Sequence, residues 1–560
     1  MTQLDEADWD LTVDLVVVGS GAAGMACALT AKLEGLDVLM VEKTDRYGGT
    51  TALSGGVLWV PNNSLMKQAG VEDSAERAVT YLKHNIGNRV SAARLEAFVE
   101  NAPKMLDFLR ARDCLEVAVF EGFPDYRPED PGGCQGGRSV EPKVFAGRRL
   151  GDALGDLRAR AAMAPAGIVG TMTELRRLAA VRSNPLELLK AWKVFPRNLW
   201  NRLSGAHHLA NGRALIAWLR HAMERTDVPL WLNAPLARIV TDDDGAVRGV
   251  LVRRGEEPVR VEARRGVVIT AGGFEHNGEM RSEYFGENTA EYSSGSPGNT
   301  GDAIRAGLDA GAAVDLMDDA WWAPTFMPPG QGPQIVIFER GKPGNIIVNA
   351  AGQRFANEAD PYNEFVKHMQ EADRSGASAI PSFLIFDDRY RSKYPLGGML
   401  PGVTPRRYLE NGFVVRADTL VELAEIMGID PAGLEDTVAR FNDMASKGSD
   451  DDYHRGDSAF DRFAGDPGVR PNPCLAALDE PPFYGMRIYP GDLGTKGGLL
   501  TNEHAQVLRG DGTVVRGLYA AGNSSASAMG NFYPGAGGTI GPAMTFGYIA
   551  ARHAAAEGSQ

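Results

Sequence analysis

Residues 14–18 read D-L-V-V-V, a short apolar run with the β-branched content of a buried strand, and Val38, Leu39, Met40 and Val41 form a second run of this kind. Between them, residues 25–34 pattern as a helix. Near the far end, R-G-L-Y-A-A-G-N (residues 516–523) reads as another strand running into Gly522 and Asn523, and a long helix is predicted from about Gly537 onward. No apolar run reaches the about 20 residues that cross a bilayer.

What separates the first strand from the first helix is G-S-G-A-A-G, with Gly19, Gly21 and Gly24 around Ala22 and Ala23. Glycine at the first position permits a tight turn. At the second it lets backbone approach a pyrophosphate, and at the third it lets helix and strand pack closely. The helix N-terminus then presents its positive end to the phosphates. Glu42, followed by Lys43, stands at the end of the second strand, where a carboxylate accepts ribose hydroxyls. A lone glycine fingerprint is weak, but strand, glycines, helix, strand and acid in this order select a dinucleotide site.

The choice between NAD and FAD falls on later segments. K-T-D-R-Y-G-G-T-T-A-L-S-G-G (residues 43–56) carries Gly49, Thr50, Thr51, Ser54, Gly55 and Gly56 where an extended flavin dinucleotide runs; taken alone it is equally a polar surface loop. G-A-G-G-T-I-G (residues 535–541), holding Gly537, Gly538, Thr539 and Ile540, is either a glycine-rich helix cap or a helix start beside a flavin pyrimidine, where it stabilises an anion. Paired with the N-terminal fingerprint, the two favour FAD. The expected fold class is α/β, a Rossmann-like FAD-binding domain with an inserted α+β substrate (catalytic) domain. Its expected bounds are 1–320 for the FAD-binding domain, 321–489 for the insert and 490–560 for the return.

The 560 residues carry a formal net charge of −14, which argues against nucleic acid as partner. Four cysteines (Cys27, Cys114, Cys134 and Cys474) without a CxxC pair suit a reducing compartment and give no metal signature. The acidic start M-T-Q-L-D-E-A-D-W-D is not a secretory leader, so a cytoplasmic place is expected. Residues 450–457 read as a solvated acidic loop.

T-A-G-G-F (residues 270–274, with Ala271 and Gly272), S-P-G-N-T-G-D (296–302), G-Q-R-F-A-N-E (352–358) and G-L-Y-A-A-G-N resemble the flavoprotein family of fumarate reductases and succinate dehydrogenases over nearly the whole chain. Within it, P-D-Y-R-P-E (124–129), N-E-A-D-P-Y (357–362) and F-Y-P-G-A-G-G-T-I-G (532–541) resemble the 3-ketosteroid Δ1-dehydrogenase family. That resemblance implies a steroid substrate, an external electron acceptor and four catalytic groups. Tyr362 would take a proton from C2, Tyr126 would support it, and the Tyr533 hydroxyl with the Gly537 N–H would receive the C3 oxygen. Where fumarate reductases place an arginine, this chain has Asp360, Pro361 and Tyr362. Where succinate dehydrogenases carry an attachment histidine, it has Thr50 and Thr51. Non-covalent FAD and a substrate other than a dicarboxylate follow. Rival readings are a 3-keto-5α-steroid 4-dehydrogenase, an enoate reductase and an electron-transfer flavoprotein subunit. Tyr484 and Tyr489 are candidate substitutes among the tyrosines. His207 and His208 read as surface residues, and Trp321 and Trp322 as cleft or core.

One segment breaks the acidic background. Residues 162–203 hold Arg176, Arg177, Arg182, Lys190, Lys193, Arg197 and Arg202 against Glu174 and Glu187, interleaved with Val181, Leu189, Trp192, Phe195 and Trp200. Pro185 and Pro196 divide it into short helices. Such a pattern fits either peripheral contact with the inner face of the cell membrane or a basic hairpin packed on the protein's own acidic surface.

Overall fold

The computed structural model describes residues 9–159, 168–180, 186–255 and 257–557. Val181, Arg182 and Pro185, on which part of the amphipathic reading rests, lie outside the described residues, as do residues 162–167.

Strand β1 (Leu11–Val18) pairs in parallel with β2 (Val38–Val41) on one side and with Glu257–Ile269 on the other. Val514–Ala520 and Leu230–Trp231 extend this parallel sheet at its two sides. The uninterrupted apolar run explains the arrangement. Leu15 and Val17 enter one core while Val16 and Val18 enter another, so both faces of β1 are covered. Helix α1 (Ala22–Leu33) packs against Asn211–Arg225 and the C-terminal helix Ile540–Ala556. A Cβ on Gly547 would lie 2.4 Å from the Ala23 carbonyl oxygen, so only glycine lets the first and last helices approach this closely. The strand begins three residues earlier than its apolar run, at Leu11. The C-terminal helix starts at Ile540 rather than Gly537, because Gly537 has φ +89°, outside the helical region.

A second, antiparallel sheet of six strands is built on the long strand Phe483–Thr495, which pairs with Ala320–Phe326, Ser382–Phe386 and Val415–Ala417. The fold is thus a Rossmann-like α/β architecture joined to an α+β part. Arg281 and Asp492, both fully buried, meet at 2.8 Å and tie the helix Gly278–Phe285 to the long strand.

Residues 450–457 are not simply a solvated loop. Asp450 and Arg455 are buried, Asp450 accepts from Arg354 at 3.0 and 2.7 Å, and Arg455 reaches Glu358 at 3.2 Å. Two arginines and two carboxylates neutralise one another there, an arrangement that charge density along the chain does not reveal. No helix of the described residues is long and apolar enough to cross a membrane.

Candidate active site

A cavity of about 690 Å³ runs from the N-terminus of α1 into the antiparallel part. Its first half is lined by Gly19, Gly21, Ala22, Ala23, Glu42, Lys43, Gly49, Thr50, Thr51, Ser54, Gly55, Gly56, Ala271 and Gly272. Gly522, Asn523, Gly537, Thr539 and Ile540 line its middle wall. Gly24 and Gly538 do not line it. A Cβ on Gly24 would sit 2.1 Å from the Gly19 carbonyl oxygen, and one on Gly538 2.7 Å from Pro534 Cδ. Both permit close packing behind the wall.

The first half fits an adenine dinucleotide. Gly19 has φ +103°, and a Cβ there would strike the Thr270 carbonyl oxygen at 2.5 Å. Gly21 caps α1 without a side chain, so the helix N-terminus opens into the cavity. Glu42 accepts from Ser20 N at 3.2 Å and Ser20 Oγ at 2.6 Å through one oxygen, and from Thr44 N and Oγ1 at 3.0 and 2.9 Å through the other. The carboxylate is therefore fixed at the cavity edge. Thr50 Oγ1 accepts from Ser296 N at 2.9 Å and Asn299 Nδ2 at 3.0 Å, joining the glycine loop to the 296–302 turn.

At the other end, three tyrosine rings meet. Tyr126 and Tyr362 have centroids 5.5 Å apart, Tyr362 and Tyr533 5.3 Å, and Tyr126 and Tyr533 5.2 Å. All three are buried and line the cavity. The Tyr362 phenol lies close enough to those of Tyr126 and Tyr533 for each to influence its ionisation. It is the first residue of the helix Tyr362–Ala372, set by Pro361. Tyr126 lies on a loop pinned from several sides. Its N–H donates to the Pro534 carbonyl at 3.0 Å, and Asp125 receives Trp59 Nε1 at 2.8 Å and Arg138 at 2.7 Å. Burial raises the phenol pKa of Tyr126 and Tyr362 well above the ordinary range. Burial also raises that of Tyr533, against hydrogen bonds to Thr539 and Tyr362 that lower it.

The substitutes stand elsewhere. Tyr484 donates to Asp388 at 3.1 Å and Tyr489 stacks on Tyr292 at 4.9 Å. Neither lines the cavity, and neither do His207 and His208. Trp321 and Trp322 are buried behind the wall. Trp321 meets the Tyr533 ring edge-on at 4.8 Å and donates to Asn523 Oδ1 at 3.2 Å. Sequence reasoning missed Phe120, Phe123, Ile335, Ile337 and Phe338, which give the tyrosine end an apolar wall. It also missed Asn299, although S-P-G-N-T-G-D had marked that turn. An apolar lining residue carries no signal that separates it from core.

The FAD binding domain family matches residues 14–540. The chain is also 46% identical over 553 residues to a 3-oxosteroid 1-dehydrogenase of Mycobacterium tuberculosis, covering 97% of this chain and 98% of that protein. The chain belongs to the 3-oxosteroid 1-dehydrogenase family of FAD-binding proteins. Among solved structures, the 3-ketosteroid Δ1-dehydrogenase of Sterolibacterium denitrificans, in complex with 1,4-androstadiene-3,17-dione, matches with TM-score 0.93 and 44% identity over 98% of this chain and 100% of that one. A 4-oxocyclohexanecarboxylate 2-dehydrogenase of Sinomonas cyclohexanicum is 36% identical over 97% of this chain and 92% of that protein. This family member is an FAD-dependent dehydrogenase, and FAD is its cofactor.

Proposed function

We propose that the enzyme converts a 3-keto-4-ene steroid to the 1,4-diene. The observation that carries this reading is the three-tyrosine cluster with Gly537 on the wall of a cavity whose other end fits a dinucleotide. FAD supplies the acceptor for a hydride equivalent from C1 when bound, held by the residues of the glycine fingerprint, Glu42, the 48–56 loop and the 535–541 turn. The protein's own residues do the rest. The Tyr533 hydroxyl and the Gly537 N–H donate to the C3 oxygen, which gains negative charge as the C2 proton leaves. Tyr362, as its phenolate, takes that proton and becomes neutral, and Tyr126 donates a hydrogen bond that stabilises the phenolate beforehand. The apolar wall of Phe120, Phe123 and Phe338 excludes water and accepts a fused-ring hydrocarbon.

An enoate reductase needs a cation facing its substrate carboxylate. The place after R-F-A-N-E holds Asp360 and Tyr362, and Arg340 does not line the cavity. An electron-transfer subunit needs no enclosed apolar chamber. The 4,5-desaturating alternative differs only in where the base meets the substrate. Anaerobic mixing with a 4-en-3-one and a 5α-3-one steroid separates the two: flavin bleaching by the first with a 1,4-diene product supports this reading, and bleaching by the second alone overturns it. An external electron acceptor must reoxidise the flavin for turnover to continue.

We also propose that the segment around 172–204 rests on a membrane surface from the cytoplasmic side. Leu189 is 70% exposed, Trp192 57%, Phe195 53%, Trp200 57% and Leu203 74%. Three of the arginines turn inward, as the packed-hairpin alternative expects, rather than toward lipid. Arg177 pairs with Glu121, Arg197 with Glu174 at 2.6 Å, and Arg176 covers Phe463 at 4.6 Å. Arg176 and Arg177 fasten the first helix to the protein and Arg197 ties the helices of the segment to one another, while the exposed apolar side chains stand beside the exposed Lys190 and Lys193. Met172, at the start of the segment, lines the cavity, so lipid contact there shortens the path of an apolar substrate. Co-sedimentation with neutral vesicles tests this: loss of binding when Trp192, Phe195 and Trp200 become Ser supports it, and no binding by the unaltered chain overturns it.

A further inference from the structure

Arg340 is 1% exposed, and the mechanism above does not use it. Its three guanidinium nitrogens all meet backbone carbonyls. Nε donates to Val336 O at 3.0 Å, Nη1 to Glu358 O at 2.7 Å and Nη2 to Asp360 O at 3.0 Å. The guanidinium also lies over the Phe365 ring at 4.7 Å. Among the described residues no carboxylate oxygen lies within 4.0 Å of it, whereas the buried Arg138, Arg281, Arg354 and Arg455 each meet one.

Each of the contacts falls on a part of the site. Val336 stands between Ile335 and Ile337, which line the cavity. Glu358 and Asp360 lead into Pro361 and Tyr362, and Phe365 is one turn beyond Tyr362 on the same helix. A planar fork with fixed donor directions can hold three carbonyls at once, which a lysine ammonium on a flexible stem does not reproduce. Carbonyls also leave the positive charge uncancelled, and the charge of Arg340 favours the ionised form of Tyr126. Burial lowers the pKa of Arg340 to about 10, so the cation persists at neutral pH. Among the described residues, the acids that face it form no ion pair with it. Asp360 is pushed up to about 7 and Glu339 is raised, both chiefly by burial, while Glu358 is held by Arg354 and Arg455.

We infer that Arg340 is a positioning residue: it clamps the cavity wall to the turn that delivers Tyr362 and supplies a buried positive charge that acts on Tyr126. This rests on the proposed role of Tyr362 as base. Arg340 touches neither substrate nor cofactor; it acts through the two tyrosines.

The test is anaerobic flavin reduction by a 4-en-3-one steroid across pH, in holoenzyme of the wild type, Arg340→Lys and Arg340→Gln. Arg340→Gln removes the charge. Its reduction rate is expected to fall about 10–100-fold, with the alkaline rise of the rate displaced upward. Arg340→Lys keeps the charge and loses the fork, so its rate falls about tenfold with the rise in place. In a Tyr126→Phe background, Arg340→Gln should displace the profile no further. FAD content and steroid affinity should stay near wild type in each. An Arg340→Gln profile superposable on wild type, or a loss explained by steroid affinity alone, overturns the proposal. Where Arg340→Gln does not accumulate, an Arg340→Lys rate within about twofold of wild type overturns it. Failure of the wild type to be reduced by any 3-ketosteroid defeats the reaction assignment instead. The clamp is then decided by the ultraviolet tyrosinate titration, which Arg340→Lys should leave in place while lowering the protection of residues 358–362 from hydrogen exchange; unchanged protection overturns it.

Discussion

The hydroxyl of Tyr533 lies 3.0 Å from Oγ1 of Thr539, the residue that caps the C-terminal helix. The tyrosine proposed to receive the C3 oxygen is thereby oriented by the same turn that lines the flavin end of the cavity. Tyr533→Phe is expected to slow flavin reduction by about 10²–10³-fold, the usual cost of one oxyanion donor. Affinity for a steroid lacking the 3-oxygen should not change. Much weaker binding of that analogue to the variant would make Tyr533 a packing residue.

Tyr362→Phe removes the proposed base and keeps the ring. Stopped-flow reduction should fall by at least about 10²–10⁴-fold. The flavin spectrum and FAD stoichiometry of the purified variant should match the parent. A near-normal rate excludes Tyr362 as the proton acceptor.

The tyrosine pKa values fix the sign of the pH dependence. Burial favours the neutral phenols of Tyr126 and Tyr362, so the phenolate is scarce at neutral pH. Below the effective pKa of the pair, each pH unit raises the phenolate fraction about tenfold. The rate of flavin reduction should therefore climb with pH from neutrality upward. A rate that falls over this range, measured with saturating steroid, contradicts a phenolate base.

No histidine occurs in residues 43–56, and His276 is the one histidine that lines the described cavity, bonded through Nε2 to the Gly295 carbonyl at 3.1 Å. FAD is expected to leave the protein on acid or heat precipitation and to appear in the supernatant. Flavin that stays with the precipitate would reveal a covalent bond.

The buried quartet of Arg354, Glu358, Asp450 and Arg455 predicts a stability effect far from the chemistry. Asp450→Ala leaves the Arg354 guanidinium short of a partner at a site where the Asp450 side chain is 0% exposed. The expected cost is about 3–5 kcal/mol, read as a lowered unfolding midpoint. A shift of less than about 1 kcal/mol would place this pair with the weak surface ion pairs.

The parallel sheet was legible because β1 and β2 are covered on both faces and so read as unbroken apolar runs. The dinucleotide end was legible because its glycines answer to geometry: Gly19 and Gly537 occupy backbone regions that a side chain resists. The clamp at Arg340 was not. Its partners, Val336, Glu358 and Asp360, contribute carbonyls, and a carbonyl is the same in every residue. The burial of Asp450 was equally silent, since its neutralising arginine lies 96 positions away. The outward face of Trp192 and Trp200 could be suspected from composition, but the inward turn of Arg177 and Arg197 depended on where Glu121 and Glu174 stand in space.

The contact of Gly547 with Ala23 has a consequence for assembly. The fingerprint that receives the dinucleotide leaves the ribosome long before the helix that backs it. Until residues 540–556 emerge, α1 has Asn211–Arg225 beside it but lacks its C-terminal neighbour, and the cradle has one side open. A nascent chain stalled before Ile540 is expected to hold no flavin however well its parallel sheet has formed.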